Sequence, residues 1–361
     1  MKYLDEYRDA ERVKSLIEAI TQIVTHAWSI MEVCGGQTHT IARYRIEEML
    51  PKNIRLLHGP GCPVCVTSAE TIDHALEIAK RNDVIFCSFG DMMRVPGSKN
   101  DLLQVKAGGA DVRMLYSPLD AVELAENHQD KEIVFFAVGF ETTAPIYLMA
   151  LKEAERRGLK NFSLLCSLVA VPPAIEMIVN QTDNQVDGFL LAGHVCAVTG
   201  IEDYTVLAEK YRKPMIVTGF EPADLLLGIY QCIKQLEENR AQVENAYKRA
   251  VRNEGNPAAR QLMAEMLMSA DYDWRGIGVI PQSGFVLHEK YAVFDAAKKF
   301  PRVSSEKQEN TDNQCIAGEI MKGVKNVADC PFFATRCTPE HPMGAPMVSD
   351  EGVCSAYYKY R

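Results

Sequence analysis

Short runs of apolar residues, each followed by a glycine-containing turn and then by a segment of helical periodicity, recur along the first 218 residues. A strand that is apolar at nearly every position has no solvent face, so it belongs in a parallel sheet covered by helices on both sides. Strands of this kind are expected at Ser29–Val33, Ile54–His58, Val84–Phe89 and Val112–Tyr116. A second series is expected at Glu132–Val138, Phe162–Leu168, Gly188–Leu191 and Met215–Thr218. Helices are expected at 6–27, where Val13, Ile17, Ile20, Ile23 and Val24 form a stripe, and at Ser68–Arg81, Pro118–Asn127, Ala144–Arg157 and Pro173–Asn180. The two series predict an α/β protein with two Rossmann-like parallel-sheet domains, 1–127 and 128–235. Gly139-Phe140-Glu141 and Gly219-Phe220-Glu221 form a small internal echo, each after a strand and before a helix.

From Pro222 to about Ala270 the pattern is mainly helical and charged. Beyond it the chain is rich in Gly and Pro and carries a concentration of cysteines. Such a segment buries little apolar surface alone, so 236–361 is expected to be a mainly helical or irregular domain organised by a metal centre.

With 47% hydrophobic residues the rest of the chain has ample core material and no need of disulfides. The net charge is −9, from 39 basic and 48 acidic residues, and basic residues nowhere cluster in fours. General binding to nucleic acid or to an anionic membrane is therefore not expected. The longest strongly apolar stretch, near Ile133–Phe140, is too short to span a bilayer. The first twenty residues carry acids and no apolar signal-like run, so the expected location is the cytoplasm. Eleven cysteines in a reducing compartment point to metal binding or redox chemistry.

The cysteines fall into groups. Cys315, Cys330, Cys337 and Cys354 supply four thiolates from proline-containing loops, the usual ligand set of a [4Fe–4S] cluster. Zinc takes four thiolates too, although its paired CxxC knuckles are absent, and scattered buried thiols are the bland alternative. Cys62 and Cys65 stand in Gly59-Pro60-Gly61-Cys62-Pro63-Val64-Cys65, between a strand and a helix expected from about Thr67. A CxxC at a helix start favours thiolate and can close to a disulfide, which makes it a candidate two-electron dithiol. Half of a metal knuckle or a buried pair is the alternative.

Cys34 follows a strand in Met31-Glu32-Val33-Cys34-Gly35-Gly36-Gln37-Thr38-His39-Thr40, and the next helix is expected from about Thr38. Thiol and imidazole near a strand's carboxyl end suit a metal-ligand pair or a Cys–His nucleophile, and singly each reads as ordinary structure. Cys87, Cys166, Cys196 and Cys232 read as small core residues, with Cys196 the least settled because His194 is so near. GxGxxG, GxxxxGK[ST], HExxH and CxxxCxxC are all absent.

Taken together, MEVCGGQTHTI, GPGCPVC, FGDMMRVPG, GFETTAP, PQSGFVL and CTPEHPMGAPMVSDEGVCSAYYKY resemble the HypD family of [NiFe]-hydrogenase maturation factors, from residue 31 to residue 360. The resemblance implies a scaffold rather than a simple enzyme. A small HypC-like chaperone and Cys34 would hold one iron between them. A HypE-like donor would bring cyanide, and CO would come from another source, giving the Fe(CN)2CO unit destined for the hydrogenase large subunit. Thr38 and His39 would orient the diatomic ligands or tune Cys34, and Cys62, Cys65 and the cluster would provide electrons. Where many members have further cysteines this chain has Ala317 and Pro346, and the resemblance assigns the cluster to Cys315, Cys330, Cys337 and Cys354. Asp91 and Glu141 also end strands and are either site residues or turn residues. The main rival is an iron–sulfur thiol–disulfide oxidoreductase of the ferredoxin:thioredoxin reductase type, in which Cys34 is incidental. A third reading is an adaptor whose metal only folds the C-terminal region.

Overall fold

A computed structural model describes residues 5–302 and 314–360. Its strands are β1 (Trp28–Glu32), β2 (Ile54–His58), β3 (Val84–Ser88), β4 (Val112–Met114), β5 (Glu132–Gly139), β6 (Phe162–Val169), β7 (Gly188–Ala192), β8 (Met215–Thr218), β9 (Val243–Asn245), β10 (Leu267–Trp274) and β11 (Gly278–Leu287). All eight expected strands are present, and the protein is α/β with two sheets in which parallel pairing dominates.

The expected helices are also present, at Ala10–Ile23, Ala69–Ala79, Pro118–Asn127, Ala144–Arg156 and Val171–Val179. Each has a local reason to start where it does. Asp9 accepts the Arg12 N–H at 2.8 Å, Ser68 accepts from Thr71, and Ser117 caps a helix whose first residue is Pro118.

The chain forms two compact units that are discontinuous in sequence: Met1–Cys62 with Val171–Pro257 and Ile316–Arg361, and Pro63–Ala170 with Ala258–Cys315. They do not follow the consecutive ranges 1–127, 128–235 and 236–361. Residues 316–361 group with the first unit instead of standing alone, and the chain passes from one unit to the other inside the CPVC segment. Local periodicity marks strands but not their partners, so the interleaving was invisible in it.

In the first unit the order is β2-β1-β7-β8-β9, parallel throughout. Ile20 of the first helix is fully buried in a core with Ile30, Leu190, Ile216, Leu226 and Ile229, and Val13, Ile17, Ile23 and Val24 pack against it. The C-terminal residues lie on this sheet. Gly323, with φ of 75°, comes so close that a Cβ would stand 2.7 Å from Met31 Cε, so only glycine suits both the conformation and the space.

In the second unit the order is β10-β11-β6-β5-β3-β4, with β6, β5, β3 and β4 parallel and β10–β11 an antiparallel hairpin laid on β6. This hairpin and β9 correct the expectation of a helical 222–270 followed by irregular chain. The segment does contain the helices Pro222–Glu237 and Pro257–Met266. The alternation of β10, LMSADYDW, is broken by a register shift between Ala270 and Tyr272, which hides the period of two.

Cys87, Cys196 and Cys232 are fully buried as expected, whereas Cys166 keeps some exposure. Burial pushes the Cys87 and Cys166 thiols up to about 12, which leaves them protonated and inert. Among the described residues no helix is long and apolar enough to cross a membrane.

Candidate metal and thiol site

In the first sheet the chain leaves β1 toward β2 on one side, while β7, β8 and β9 build outward on the other. The crevice outside the carboxyl ends of β1 and β7 is therefore the topological switch point, where open parallel sheets bind ligands. Cys34 ends the β1 connection, and Gly193-His194 follows β7 directly.

The helix after β1 is Gly35–Tyr44, three residues longer at its start than expected, which makes Cys34 its N-cap. With φ −153° and ψ 122°, the Cys34 carbonyl accepts N–H groups of Gln37 at 2.9 Å and Thr38 at 3.1 Å. The sulfur is buried and faces the imidazole of His194, 3.8 Å from Nδ1 and 3.9 Å from Nε2. Burial, followed by the negative charges of Glu32 and Glu351, pushes the Cys34 thiol well above its ordinary range, and the N–H groups of Gln37 and Gly36 oppose this. The thiol therefore keeps its proton at neutral pH, and a cation bound to the sulfur would reverse that balance by displacing the proton. Burial also lowers His194 to about 4, so its ring is neutral and available as a donor or acceptor.

Glycines let three turns close on Cys34. A Cβ on Gly61 would stand 2.4 Å from both Cys34 N and Cα, one on Gly36 3.2 Å from the Phe220 ring, and one on Gly35 2.3 Å from the Glu351 carbonyl oxygen. The Gly35 N–H donates to the Gly61 carbonyl at 3.0 Å, so the Cys34 turn and the turn leading to Cys62 lie directly together. Gly61→Ala is expected to destabilise the protein by about 1–3 kcal/mol, because one backbone must retreat from the other. Thermal unfolding checks this, and an unchanged midpoint would show that the turns can separate freely.

Glu32 is the hub beneath the site, 1% exposed at the end of β1. Its Oε2 accepts the Cys34 N–H at 2.7 Å, and its Oε1 accepts the Thr38 hydroxyl and pairs with His58 Nδ1 at 2.7 Å. His58 Nε2 lies 2.7 Å from Tyr357 Oη, which itself donates to Glu47 Oε2 at 2.5 Å. Because the single phenolic proton goes to Glu47, His58 Nε2 must donate to the phenol. Nδ1 donates to Glu32, so both ring nitrogens carry hydrogen. Burial works against that imidazolium, but the Glu32 hydrogen bond and the charges of Glu32 and Glu47 outweigh it, and the His58 pKa is raised.

A raised folded-state pKa gives a stabilisation that is fully present below the unfolded value of about 6.5 and lost as pH rises through the folded one. The stability gap between the native chain and His58→Gln is therefore expected to be widest near pH 6 and to narrow toward pH 9. Thermal midpoints across that range test it, and a constant gap would mean that His58 is neutral in the fold.

The expected site residues fall in different places. Thr38 binds Glu32 and so acts on the Cys34 turn from below. His39 points to the C-terminal helix Val353–Tyr360, with Nε2 2.9 Å from Tyr360 Oη. Burial, then the charges of Lys359 and Arg43, lowers its pKa.

Cys62 and Cys65 form a disulfide and are 3% and 2% exposed. Cys65 sits on a separate single turn, Pro63–Val66, which Cys62 directly precedes, and neither is on the helix Ala69–Ala79. Asp91 and Glu141 follow β3 and β5 of the second sheet, Asp91 exposed and Glu141 buried.

Of the C-terminal cysteines, Cys330 and Cys337 flank one turn in which the Phe333 N–H donates to the Cys330 carbonyl at 3.2 Å and the Cys337 N–H to the Phe332 carbonyl at 2.9 Å. Cys354 packs with Ile316, Phe333 and Tyr357 around the buried Ile320, Val327 and Val353. Ile316 directly follows Cys315. The segments carrying Cys330, Cys337 and Cys354 thus gather at one small apolar cluster, which Ile316 also joins. Among the described residues no three His, Cys, Asp or Glu side chains stand grouped as metal ligands.

Glu32, His58, Tyr357 and Phe220 were not singled out from sequence, and His194 was noted only as a neighbour of Cys196. A carboxylate inside an apolar strand and a histidine just before GPGC were the available signals. Phe220 stacks on His194 with ring centres 5.1 Å apart.

The sequence profile HypD, described as the hydrogenase formation hypA family, matches residues 11–361. The chain belongs to the HypD family. The hydrogenase maturation factor HypD of Rhizobium leguminosarum bv. viciae is 45% identical over 370 residues, covering 100% of this chain and 96% of that protein. The HypD of Escherichia coli K12 is 42% identical over 369 residues, covering 100% and 98%. The hydrogenase expression/formation protein HupD of Azotobacter chroococcum mcd 1 is 42% identical over 369 residues, covering 100% and 97%. These HypD relatives align along the whole length, so the Cys34, CPVC and C-terminal segments all lie within the match.

Proposed function

We propose that this chain is a hydrogenase maturation scaffold on which Cys34 binds an iron ion as cargo. The supporting observation is the buried Cys34 thiol at the switch point, with His194 against its sulfur and a helix N-terminus behind it. Thiolate is a soft, strongly donating ligand suited to iron that carries cyanide and CO. On loading, the thiol releases its proton and the new anion faces the N–H groups of Gly36 and Gln37. A HypC-like chaperone would supply a second cysteine to the same iron, and a HypE-like protein would deliver cyanide.

The Cys62–Cys65 disulfide can take up two electrons and two protons to become a dithiol, which makes it the site's own electron store. Cys315, Cys330, Cys337 and Cys354 fit a [4Fe–4S] cluster by donor chemistry, and the segments of the last three converge on one apolar cluster. Such a cluster, when bound, supplies single electrons. The oxidoreductase alternative has less support, since it leaves the buried Cys34 thiol and the His194 ring against it without a role.

Chain purified anaerobically with its small partner is expected to hold one iron beyond the cluster content, and the Cys34→Ala complex is expected to lack that iron. Equal iron in both would reject the assignment. Separately, Cys330→Ser with Cys337→Ser is expected to remove the cluster's roughly four irons and four sulfides and its colour. Full iron and sulfide in that double variant would show that other groups hold the cluster.

A further inference from the structure

The C-terminal helix Val353–Tyr360 carries three side chains that reach different parts of the molecule's chemistry. Cys354 packs in the small apolar cluster with Phe333, beside the turn that joins Cys330 to Cys337. Three residues later, about one helical turn on, Tyr357 places its hydroxyl between His58 and Glu47, and its ring meets the His58 ring edge-on at 5.2 Å. Tyr360 holds His39. Just before the helix, Glu351 lies against Gly35, so that a Cβ there would be 2.3 Å from its carbonyl oxygen.

From Tyr357 a continuous chain of hydrogen bonds runs through His58 Nε2 and Nδ1 to Glu32, and from Glu32 to the Cys34 N–H and the Thr38 hydroxyl. His58 and Glu32 are 4% and 1% exposed, so water cannot readily replace a lost link.

We propose that Tyr357 is a positioning residue that couples the cysteine-rich C-terminal segment to the Cys34 turn, so that Cys34 is held in its buried geometry only when the segment bearing Cys354 is assembled. The proposal rests on the reading of Cys34 as the iron-binding residue, and it adds regulation of that site. A chain without an ordered C-terminal segment loses the Tyr357 tie. His58 and Glu32 then loosen, and the N–H and hydroxyl that fix the Cys34 turn lose their oriented acceptor. Iron would thus be accepted only by a fully assembled scaffold.

The test needs neither iron cargo nor partner. Cys34 labelling by iodoacetamide is followed peptide by peptide in the anaerobically purified chain, with buried Cys232 of the same unit as internal reference. Tyr357→Phe keeps the ring and removes only the hydroxyl. It is expected to raise Cys34 labelling about tenfold while Cys232 is unchanged, because only the local opening becomes easier. Cys354→Ser is expected to raise Cys34 labelling similarly, with little further rise when combined with Tyr357→Phe. Unchanged Cys34 labelling in Tyr357→Phe, or a parallel rise at Cys232, would overturn the proposal. Should Tyr357→Phe not fold, His58→Asn, whose short amide can stand in for Nδ1 toward Glu32 but cannot reach Tyr357, is read by the same outcomes. Retained coupling together with iron cargo in Cys34→Ala would sink the scaffold reading alone, and the reverse pattern the coupling alone.

Discussion

Cells whose only copy of this chain carries Cys34→Ala are expected to lose hydrogenase maturation, with activity at background, while the protein itself folds normally. The change removes one buried sulfur and leaves the backbone hydrogen bonds of the turn untouched, because Glu32 binds the Cys34 N–H and not its side chain. The expected stability cost is about 1–2 kcal/mol, the scale of one buried apolar atom plus a small cavity. The functional cost is far larger, since neither a methyl group nor a hydroxyl can replace thiolate toward iron bearing cyanide and CO. Activity assays beside thermal unfolding separate the two effects. The oxidoreductase reading expects the opposite split, with Cys34→Ala near neutral and Cys62→Ala fatal, so the pair of variants discriminates between them.

Glu32→Ala is expected to be the most destabilising single change at the site, by about 3–5 kcal/mol. It leaves the Cys34 N–H and the His58 Nδ1–H without their acceptor in a place closed to water, and leaves the Thr38 hydroxyl only the Cys34 carbonyl at 3.4 Å. The protonated ring would then keep only the Tyr357 oxygen and the more distant Glu47 carboxylate, 3.9 Å from Nε2. Denaturant unfolding measures the loss. A cost under about 1 kcal/mol would mean that the network relaxes around the cavity and does not hold the turn. Combining Glu32→Ala with His58→Gln is expected to recover part of the loss, because the second change removes the buried charge that the first leaves behind.

The strands of both sheets were legible because a strand buried on two faces writes itself as an unbroken apolar run, as in Glu132–Gly139. Which strands pair was not legible: β7 follows β6 in the chain yet lies beside β1, a choice made by long-range packing. Cys34, the CPVC pair and the C-terminal cysteines stood out because thiols are rare and their turns contain glycine. Their supports did not. Glu32 and His58 are ordinary residue types whose meaning depends on a neighbour 26 positions away, and Tyr357 lies 299 positions from His58. His39, beside Cys34 in sequence, points instead to Tyr360, whereas His194, 160 positions away, reaches the sulfur. Helical geometry separates neighbours in sequence, and sheet order reunites distant ones.

Infrared spectroscopy of the anaerobic complex with the small partner tests the scaffold role of Cys34 most directly, because iron-bound cyanide and CO absorb where protein does not. The native complex is expected to show both cyanide and carbonyl bands, and the Cys34→Ala complex neither. Normal cyanide and carbonyl bands in Cys34→Ala would contradict the role of Cys34 as the iron ligand.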